Sequence, residues 1–138
     1  MKKVSILFVS VLTMGLSLTS CDKDDDNGPA TLEGKWNYSK EGGMSGTQEV
    51  LVNYMGNESG CSNDYINLTA AGVFTDVDFD SETTACEEFS TPGTYVRTGN
   101  NVTVTVEGFE ETVEILSLTS SELKIKSTDG YITLFTRG

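Results

Sequence analysis

The chain has 138 residues, 9 of them basic and 21 acidic, and a formal net charge of −12 at pH 7. So acidic a chain repels phosphate backbones, and we expect no nucleic-acid partner. It contains no histidine, which excludes Ser-His-Asp and Cys-His catalysis and a histidine general base. A pair of carboxylates could cleave glycosides, and Glu87-Glu88, Glu110-Glu111 and Asp76 are available, but so small a domain leaves little room for a sugar cleft. We therefore predict a protein that is not an enzyme and has no cofactor.

The first 20 residues resemble a bacterial lipoprotein signal peptide. Lys2 and Lys3 precede an apolar run from Val4 to Leu18, and small residues precede Cys21. The alternative, a transmembrane helix, needs about 20 continuous apolar residues, whereas this run has 15 positions, of which four are Ser or Thr and one is Gly. We predict that residues 1–20 are cleaved and that Cys21 carries the lipid, with palmitate among its acyl chains.

Residues 21–30 are predicted to form an acidic, flexible tether. The run Asp22-Lys23-Asp24-Asp25-Asp26-Asn27 resembles an export signal that sends lipoproteins of some Gram-negative bacteria to the cell surface; the alternative is a solvated spacer. Without Lys2 and Lys3 the chain has 7 basic and 21 acidic residues, so its net charge is 7 − 21 = −14. Membrane attachment then depends on the lipid alone. We expect a lipid-anchored outer-membrane protein, facing the exterior and monomeric, with one domain over residues 31–138.

From residue 31 onward the sequence alternates with a period of two, which is typical of antiparallel strands with one buried face. Glycine-containing turns separate the strands. The pattern predicts an all-β domain of eight to ten strands, arranged as a single antiparallel up-and-down barrel; the alternative is a β-sandwich. The residues expected to point inward are Leu32, Trp36 and Tyr38; Val50, Val52 and Tyr54; Ile66 and Leu68; Val73, Val77 and Phe79; Val102, Val104 and Val106; Val113 and Ile115; and Leu123 and Ile125.

Cys61 and Cys86 are the cysteines that remain once Cys21 is assigned to the lipid. In an oxidising compartment a disulfide is the default. A redox or zinc pair is the alternative, but the chain offers no CxxC spacing and no histidine. We predict a structural disulfide that pins a long loop or edge strand over about Ser81 to Pro92, since Pro92 argues against a central strand.

Acidic residues alternate along one segment, at Asp76, Asp78, Asp80 and Glu82. Alternating oxygen ligands resemble the start of a calcium loop, but the glycine that lets such a loop turn is missing. The period of two instead predicts a solvated strand face, with Val77 and Phe79 pointing inward. We therefore expect no metal site.

The opening Leu32-Glu33-Gly34-Lys35-Trp36 resembles the Gly-x-Trp signature on the first strand of lipocalins. Small bacterial lipocalin-like lipoproteins are similar further along the chain, at Asp64 to Phe74, at Gly93-Thr94-Tyr95 and in the apolar last strand that ends near a basic residue. The resemblance implies a calyx of about eight antiparallel strands that holds a small, mostly apolar ligand. The chain is shorter than typical lipocalins and shows no C-terminal helix pattern.

The same resemblance implies that Trp36 closes one barrel end beneath a late arginine, which is Arg137, with Arg97 as the alternative. The candidate ligand-binding residues are Tyr38, Tyr54, Phe79 and Tyr95. We predict a lipid-anchored envelope protein that holds a small hydrophobic or amphipathic molecule. The alternative is a packed barrel that binds a carbohydrate or a protein through its outer face and loops. The two hypotheses differ in the volume of the barrel interior.

Overall fold

The computed structural model describes residues 30–82 and 85–138. The predicted signal peptide, Cys21 and the tether up to residue 29 lie outside this range. Every regular element in the described residues is a β-strand, and no helix there is long and apolar enough to span a membrane. The strands are β1 Gly34–Ser45, β2 Gln48–Asn53, β3 Tyr65–Leu68, β4 Val73–Asp80, β5 Glu87–Thr98, β6 Asn101–Val106, β7 Phe109–Leu118, β8 Glu122–Lys126 and β9 Ile132–Arg137.

The strands form one antiparallel sheet that closes on itself. Neighbours along the chain pair from β3 to β9, and β9 then pairs with β1 from Trp36↔Arg137 to Gly42↔Ile132. Eight strands therefore complete a barrel, and β2 is an additional strand beside β1. This confirms the predicted all-β barrel over the alternative sandwich.

One edge of β1 is shared by two strands. β3 pairs with its first residues, Gly34 to Asn37, and β2 pairs with its last residues, Lys40 to Ser45. Between β2 and β3 the chain leaves the sheet for residues 54–64, which we call the excursion loop. Its two ends return to β1, because the Tyr54 N–H donates to the Ser39 carbonyl and the Tyr38 N–H to the Asp64 carbonyl, both at 3.0 Å.

The barrel core is apolar and matches most of the inward sets predicted from alternation. Its buried members are Leu32, Trp36, Ile66, Leu68, Phe74, Tyr95, Val102, Ile115, Leu123 and Phe135. The prediction was wrong for β2, where Val50 is 48% exposed and Val52 is 56% exposed. These valines lie outside the ring because β2 pairs only with β1 and belongs to no closed part of the sheet.

The side chains of β4 point the opposite way from the prediction. Asp76 pairs with Ile66 and Phe74 pairs with Leu68, and paired residues in an antiparallel sheet share a face. Asp76 is therefore on the interior side and half-buried, whereas Asp78 is exposed. Val77 and Phe79 are on the other face, where Val77 is 4% exposed and the Phe79 ring lies 6.4 Å from the Tyr65 ring. The expected solvated face is wrong for Asp76 but correct for Asp78. In the described residues, no group of three or more acidic or thiol side chains could hold a metal ion.

The second half of the segment predicted as a loop or edge strand, from Glu87 to Pro92, belongs to β5, which lies between β4 and β6. Pro92 is tolerated there because pairing with β6 reaches only as far as Thr94. The predicted disulfide is confirmed, with the Cα atoms of Cys61 and Cys86 5.3 Å apart. It joins the excursion loop to the connection between β4 and β5.

Candidate ligand-binding site

The barrel interior contains a cavity of about 330 Å³ that is partly open to solvent. A volume of this size is at the lower end of the range found for small-molecule pockets, about 300 to 1,000 Å³. Eleven of its lining residues are apolar and four are polar; the polar ones are Tyr38, Asp76, Thr91 and Glu111. The apolar ones are Leu32, Ile66, Leu68, Phe74, Val102, Val104, Val106, Val113, Leu123, Ile125 and Phe135. Most of the wall is thus suited to an apolar guest, and polar groups occupy a few defined places.

A second cavity of about 290 Å³ shares five lining residues with the first, namely Tyr38, Glu111, Val113, Ile125 and Phe135. Its other lining residues are Ser127, Asp129, Tyr131 and Thr133, which lie in and beside the β8–β9 connection. We call this second cavity the vestibule. It marks the open end of the barrel, at the opposite end of β9 from Arg137.

Tyr38 and Asp76 form the polar centre of the wall. The Tyr38 hydroxyl donates to Asp76 Oδ1 at 3.2 Å, and the Tyr38 ring contacts that of Phe135, with centroids 4.8 Å apart. Burial raises the pKa of Asp76 to about 6, helped by the nearby Asp78 carboxylate and opposed by the hydrogen bond from Tyr38. Burial, together with Asp76, also raises the pKa of Tyr38. At neutral pH the phenol therefore stays protonated and donates to an ionised carboxylate.

The excursion loop is held against this wall by polar contacts. Asp64 is 3% exposed; its Oδ1 accepts from the Phe79 N–H at 2.9 Å, and its own N–H donates to Asn57 Oδ1 at 2.8 Å. Burial raises the pKa of Asp64, and the Phe79 N–H opposes that rise. The ring of Tyr54, at the start of the loop, stacks on that of Tyr38, with centroids 4.6 Å apart. Burial raises the pKa of Tyr54 to about 12, with Asp64 adding to the rise.

Only one of the four candidate ligand-binding residues lines the cavity. That residue is Tyr38, and Tyr54 is behind it in the stack. Tyr95 packs in the core, where its hydroxyl donates to the Thr69 carbonyl at 2.5 Å. Phe79 is on the outer side of β4, so its expected inward position is wrong.

The closed end of the barrel brings Trp36 and Arg137 together. The guanidinium carbon lies 3.8 Å from the Trp36 ring centroid, and Trp36 itself is fully buried. Gly34 is suited to this place: its φ is +121°, and a Cβ there would lie 2.6 Å from Arg137 Nη1. The Gly-x-Trp spacing thus leaves room for the arginine. Arg97, the alternative partner, instead donates through Nε to the Gly99 carbonyl.

Sequence reasoning missed the two carboxylates of the cavity wall, Asp76 on β4 and Glu111 on β7. Glu111 pairs with Val104, whose inward direction was predicted from the Val-Thr alternation of β6. Extending that alternation across the β6–β7 hairpin would have placed Glu111 inside. For Asp76 the only signal was Phe74 two positions earlier, which competes with Val77 and Phe79 on the other face.

We expect Asp76→Asn to raise the free energy of unfolding at pH 7. The raised pKa means that the folded state holds the proton more tightly than the unfolded chain, whose usual value is 3.8. Ionisation of Asp76 therefore opposes folding, and its cost appears as the pH rises from about 4 to above about 6. The rise of the pKa from 3.8 to about 6 corresponds to about 3 kcal/mol for a carboxylate shielded from water, and solvent at the partly buried Asp76 lowers the expected gain to about 1 kcal/mol.

Urea unfolding at pH 7 and at pH 4 tests this expectation. The gain from Asp76→Asn should be largest at pH 7 and much smaller at pH 4, where Asp76 is protonated in the folded protein and only partly ionised in the unfolded chain. Glu110→Gln is the control, because Glu110 is an exposed carboxylate that does not line the cavity; its effect should stay within about 0.5 kcal/mol at both pH values. A loss of stability at pH 7 would contradict the argument.

Comparisons with known proteins place the chain among lipocalin-like proteins. Residues 32–125 match the family model of the lipocalin-like domain. A crystal structure of a lipocalin-like protein from Bacteroides uniformis is similar, with a TM-score of 0.59 and 14% identity over 78% of this chain and 98% of that one. An uncharacterized protein from Bacteroides eggerthii has a TM-score of 0.58 and 12% identity over 78% and 100% of the two chains. No curated protein sequence matches the chain. The two structures support the fold alone.

Proposed function

Since the chain belongs to the lipocalin-like domain family, we propose that it is a lipid-anchored binding protein of the cell envelope. In this proposal the barrel holds a small hydrophobic or amphipathic molecule, Cys21 carries the lipid, and the acidic segment after Cys21 directs the protein to the exterior face of the outer membrane. The support for the anchor and the location is the sequence of residues 1–27. The support for ligand binding is the barrel interior.

The interior cavity of about 330 Å³ is the observation that carries this proposal. Eight-stranded barrels either fill their interior with side chains or leave room for one small ligand. A packed interior would favour the alternative, an interaction module that uses its outer face and loops. The cavity and the adjoining vestibule favour the carrier instead, because together they give a mostly apolar chamber with a route to solvent.

Native mass spectrometry of the protein purified from its own cells tests the proposal directly. Spectra under non-denaturing and denaturing conditions should differ by the mass of a released small molecule. A clean apo mass in both, together with no thermal shift across a panel of lipids and apolar metabolites, would contradict the carrier and favour the interaction module. Protease shaving of intact cells tests the location, since a surface protein should be cut.

Filling the cavity is expected to abolish binding. Val104 lines the cavity from β6 and is partly buried, so Val104→Trp places an indole in the space that the ligand would occupy. We expect affinity for the co-purifying molecule to fall at least about tenfold, with a folding cost within the 1 to 3 kcal/mol typical of added core volume. Val96→Trp is the matched control, because Val96 is 65% exposed on the neighbouring strand β5. Equal binding by both variants would place the ligand outside the barrel.

A further inference from the structure

The cavity wall carries negative charge. Asp76 and Glu111 line the cavity, and Asp129 lines the vestibule. No lysine or arginine lines either space in the described part of the chain. The ion pairs among the described residues, Lys124 with Glu49 and Lys126 with Glu114, leave both cavity carboxylates out. A guest in this chamber therefore meets negative charge that no cation of the wall neutralises.

The two carboxylates are built into different parts of the wall. Asp76 is directed inward by its pairing with Ile66 on β3 and with Thr91 on β5. Glu111 is on the same face as its partner Val104 on β6, and its exposed side chain borders both the cavity and the vestibule. Because β5 and β6 separate the two strands, the carboxylates approach the cavity from different sides. The Asp76 carboxylate accepts hydrogen bonds from the Tyr38 hydroxyl and from the Val77 N–H, which together hold it in place in the cavity wall.

Aromatic rings line the same chamber. Tyr38, Phe74 and Phe135 contribute to the cavity wall, and the Tyr38 and Phe135 rings are in contact. The face of an aromatic ring attracts cations, most strongly where water is excluded. Carboxylates and ring faces in one mostly apolar chamber are complementary to a cation that carries an apolar body.

Anionic amphiphiles fit poorly. The carboxylate of a fatty acid would lie near Asp76 or Glu111, and like charges in a partly dehydrated site repel each other more strongly than they do in water. The mature chain, with a net charge of 7 − 21 = −14, adds repulsion at the approach to the mouth and attraction for a cation.

We propose that the cavity binds an amphipathic amine, with the apolar body against the aliphatic wall and the ammonium group at Asp76 and Glu111. This inference depends on the proposed carrier function and narrows it to one class of ligand. Asp76 is the main partner, since it lies deeper in the wall, and Glu111 contributes from the open end. Both residues bind the guest through charge and hydrogen bonds, and no covalent step is involved.

Isothermal titration with octylamine, octanol and octanoate tests the inference, because the three probes share one tail and differ in the charge of the head. The full-length protein is titrated in maltoside detergent at pH 7.5, with protein-free blanks for partition into micelles. We expect octylamine to bind at least about tenfold more tightly than octanol, which corresponds to about 1.4 kcal/mol, and octanoate to bind most weakly.

Charge-neutral variants identify the groups responsible. Asp76→Asn keeps the shape of the side chain and should weaken octylamine binding by about tenfold while leaving octanol binding within about threefold. Glu111→Gln should weaken octylamine binding by about threefold. Glu110→Gln is the matched control, since Glu110 and Glu111 are both exposed but Glu110 is not among the residues that line the cavity; it should leave all three affinities unchanged, which excludes non-specific attraction by the net charge.

The outcomes separate this inference from the carrier proposal. If all three probes bind equally, or if octanoate binds best, the carrier remains and the amine inference is overturned. If octylamine binds best but Glu110→Gln weakens it as much as Asp76→Asn does, the preference comes from overall charge and the assigned site is wrong. If no probe binds, both the carrier and the amine inference are overturned.

Discussion

Removal of the Cys61–Cys86 disulfide is expected to lower the free energy of unfolding by about 3 to 4 kcal/mol, the chain-entropy value for a closed loop of this length. The two cysteines are separated by 25 positions in the sequence. The bond also joins two segments that few other contacts connect, the excursion loop and the β4–β5 connection, where Ser81 Oγ donates to Glu58 Oε2 at 2.7 Å. For so small a domain this is a large share of the total stability.

Urea unfolding of the double variant Cys61→Ser/Cys86→Ser measures the loss. The parent protein with a reductant should approach the variant, and the variant itself should not respond to the reductant. Its excursion loop should also become the first site of protease cleavage, since Cys61 no longer ties it to β5. A variant within about 1 kcal/mol of the parent would show that the loop is held by its hydrogen bonds alone.

Arg137→Ala is expected to lower the free energy of unfolding by about 3 kcal/mol, because one side chain serves four partners at the closed end. The guanidinium lies over the Trp36 ring. It also donates to three backbone carbonyls: Nη1 to Glu33 at 2.6 Å, Nη2 to Thr31 at 2.8 Å and Nε to Ser120 at 3.3 Å. Its loss leaves the indole face uncovered and those carbonyls without their charged donor.

Two further variants test whether the stabilisation depends on the planar guanidinium group and its several N–H donors. Arg137→Lys keeps the charge but cannot reach three carbonyls from a planar group, so we expect it to restore less than half of the lost stability. Arg97→Ala removes an exposed arginine whose Nε bonds only the nearby Gly99 carbonyl, and its effect should stay within about 0.5 kcal/mol. An Arg137→Ala variant as stable as Arg97→Ala would exclude a plug role for this residue.

Local alternation predicted those parts of the barrel whose two faces differ clearly in polarity. In β6 the valines and threonines separate without ambiguity, and Val102 is in the core as expected. The disulfide could be predicted because the compartment and the cysteine count left few alternatives. The pairing of Trp36 with Arg137 came from a family resemblance, since no local pattern links two residues a hundred positions apart.

The remaining features depend on contacts between distant strands. In β4 apolar residues occur on both faces, and only the pairing of Phe74 with Leu68 decides that Asp76 points inward. Pro92 fits in β5 only because β6 ends before reaching it. The carboxylates of the cavity wall could not be predicted for a similar reason. Carboxylates that line a cavity alternate along a strand in the same way as carboxylates that face water.

The direction in which the chain enters the barrel determines which end of it the proposed lipid anchor would be attached to. Arg137 holds the carbonyls of Thr31 and Glu33 at the closed end, whereas the vestibule opens at the far end of β9. The ten residues from Cys21 to Ala30 can span at most about 35 Å even when fully extended. The proposed anchor at Cys21 would therefore keep the closed end of the barrel within about 35 Å of the lipid, and it would leave the vestibule, at the other end, to guests that arrive through the surrounding fluid.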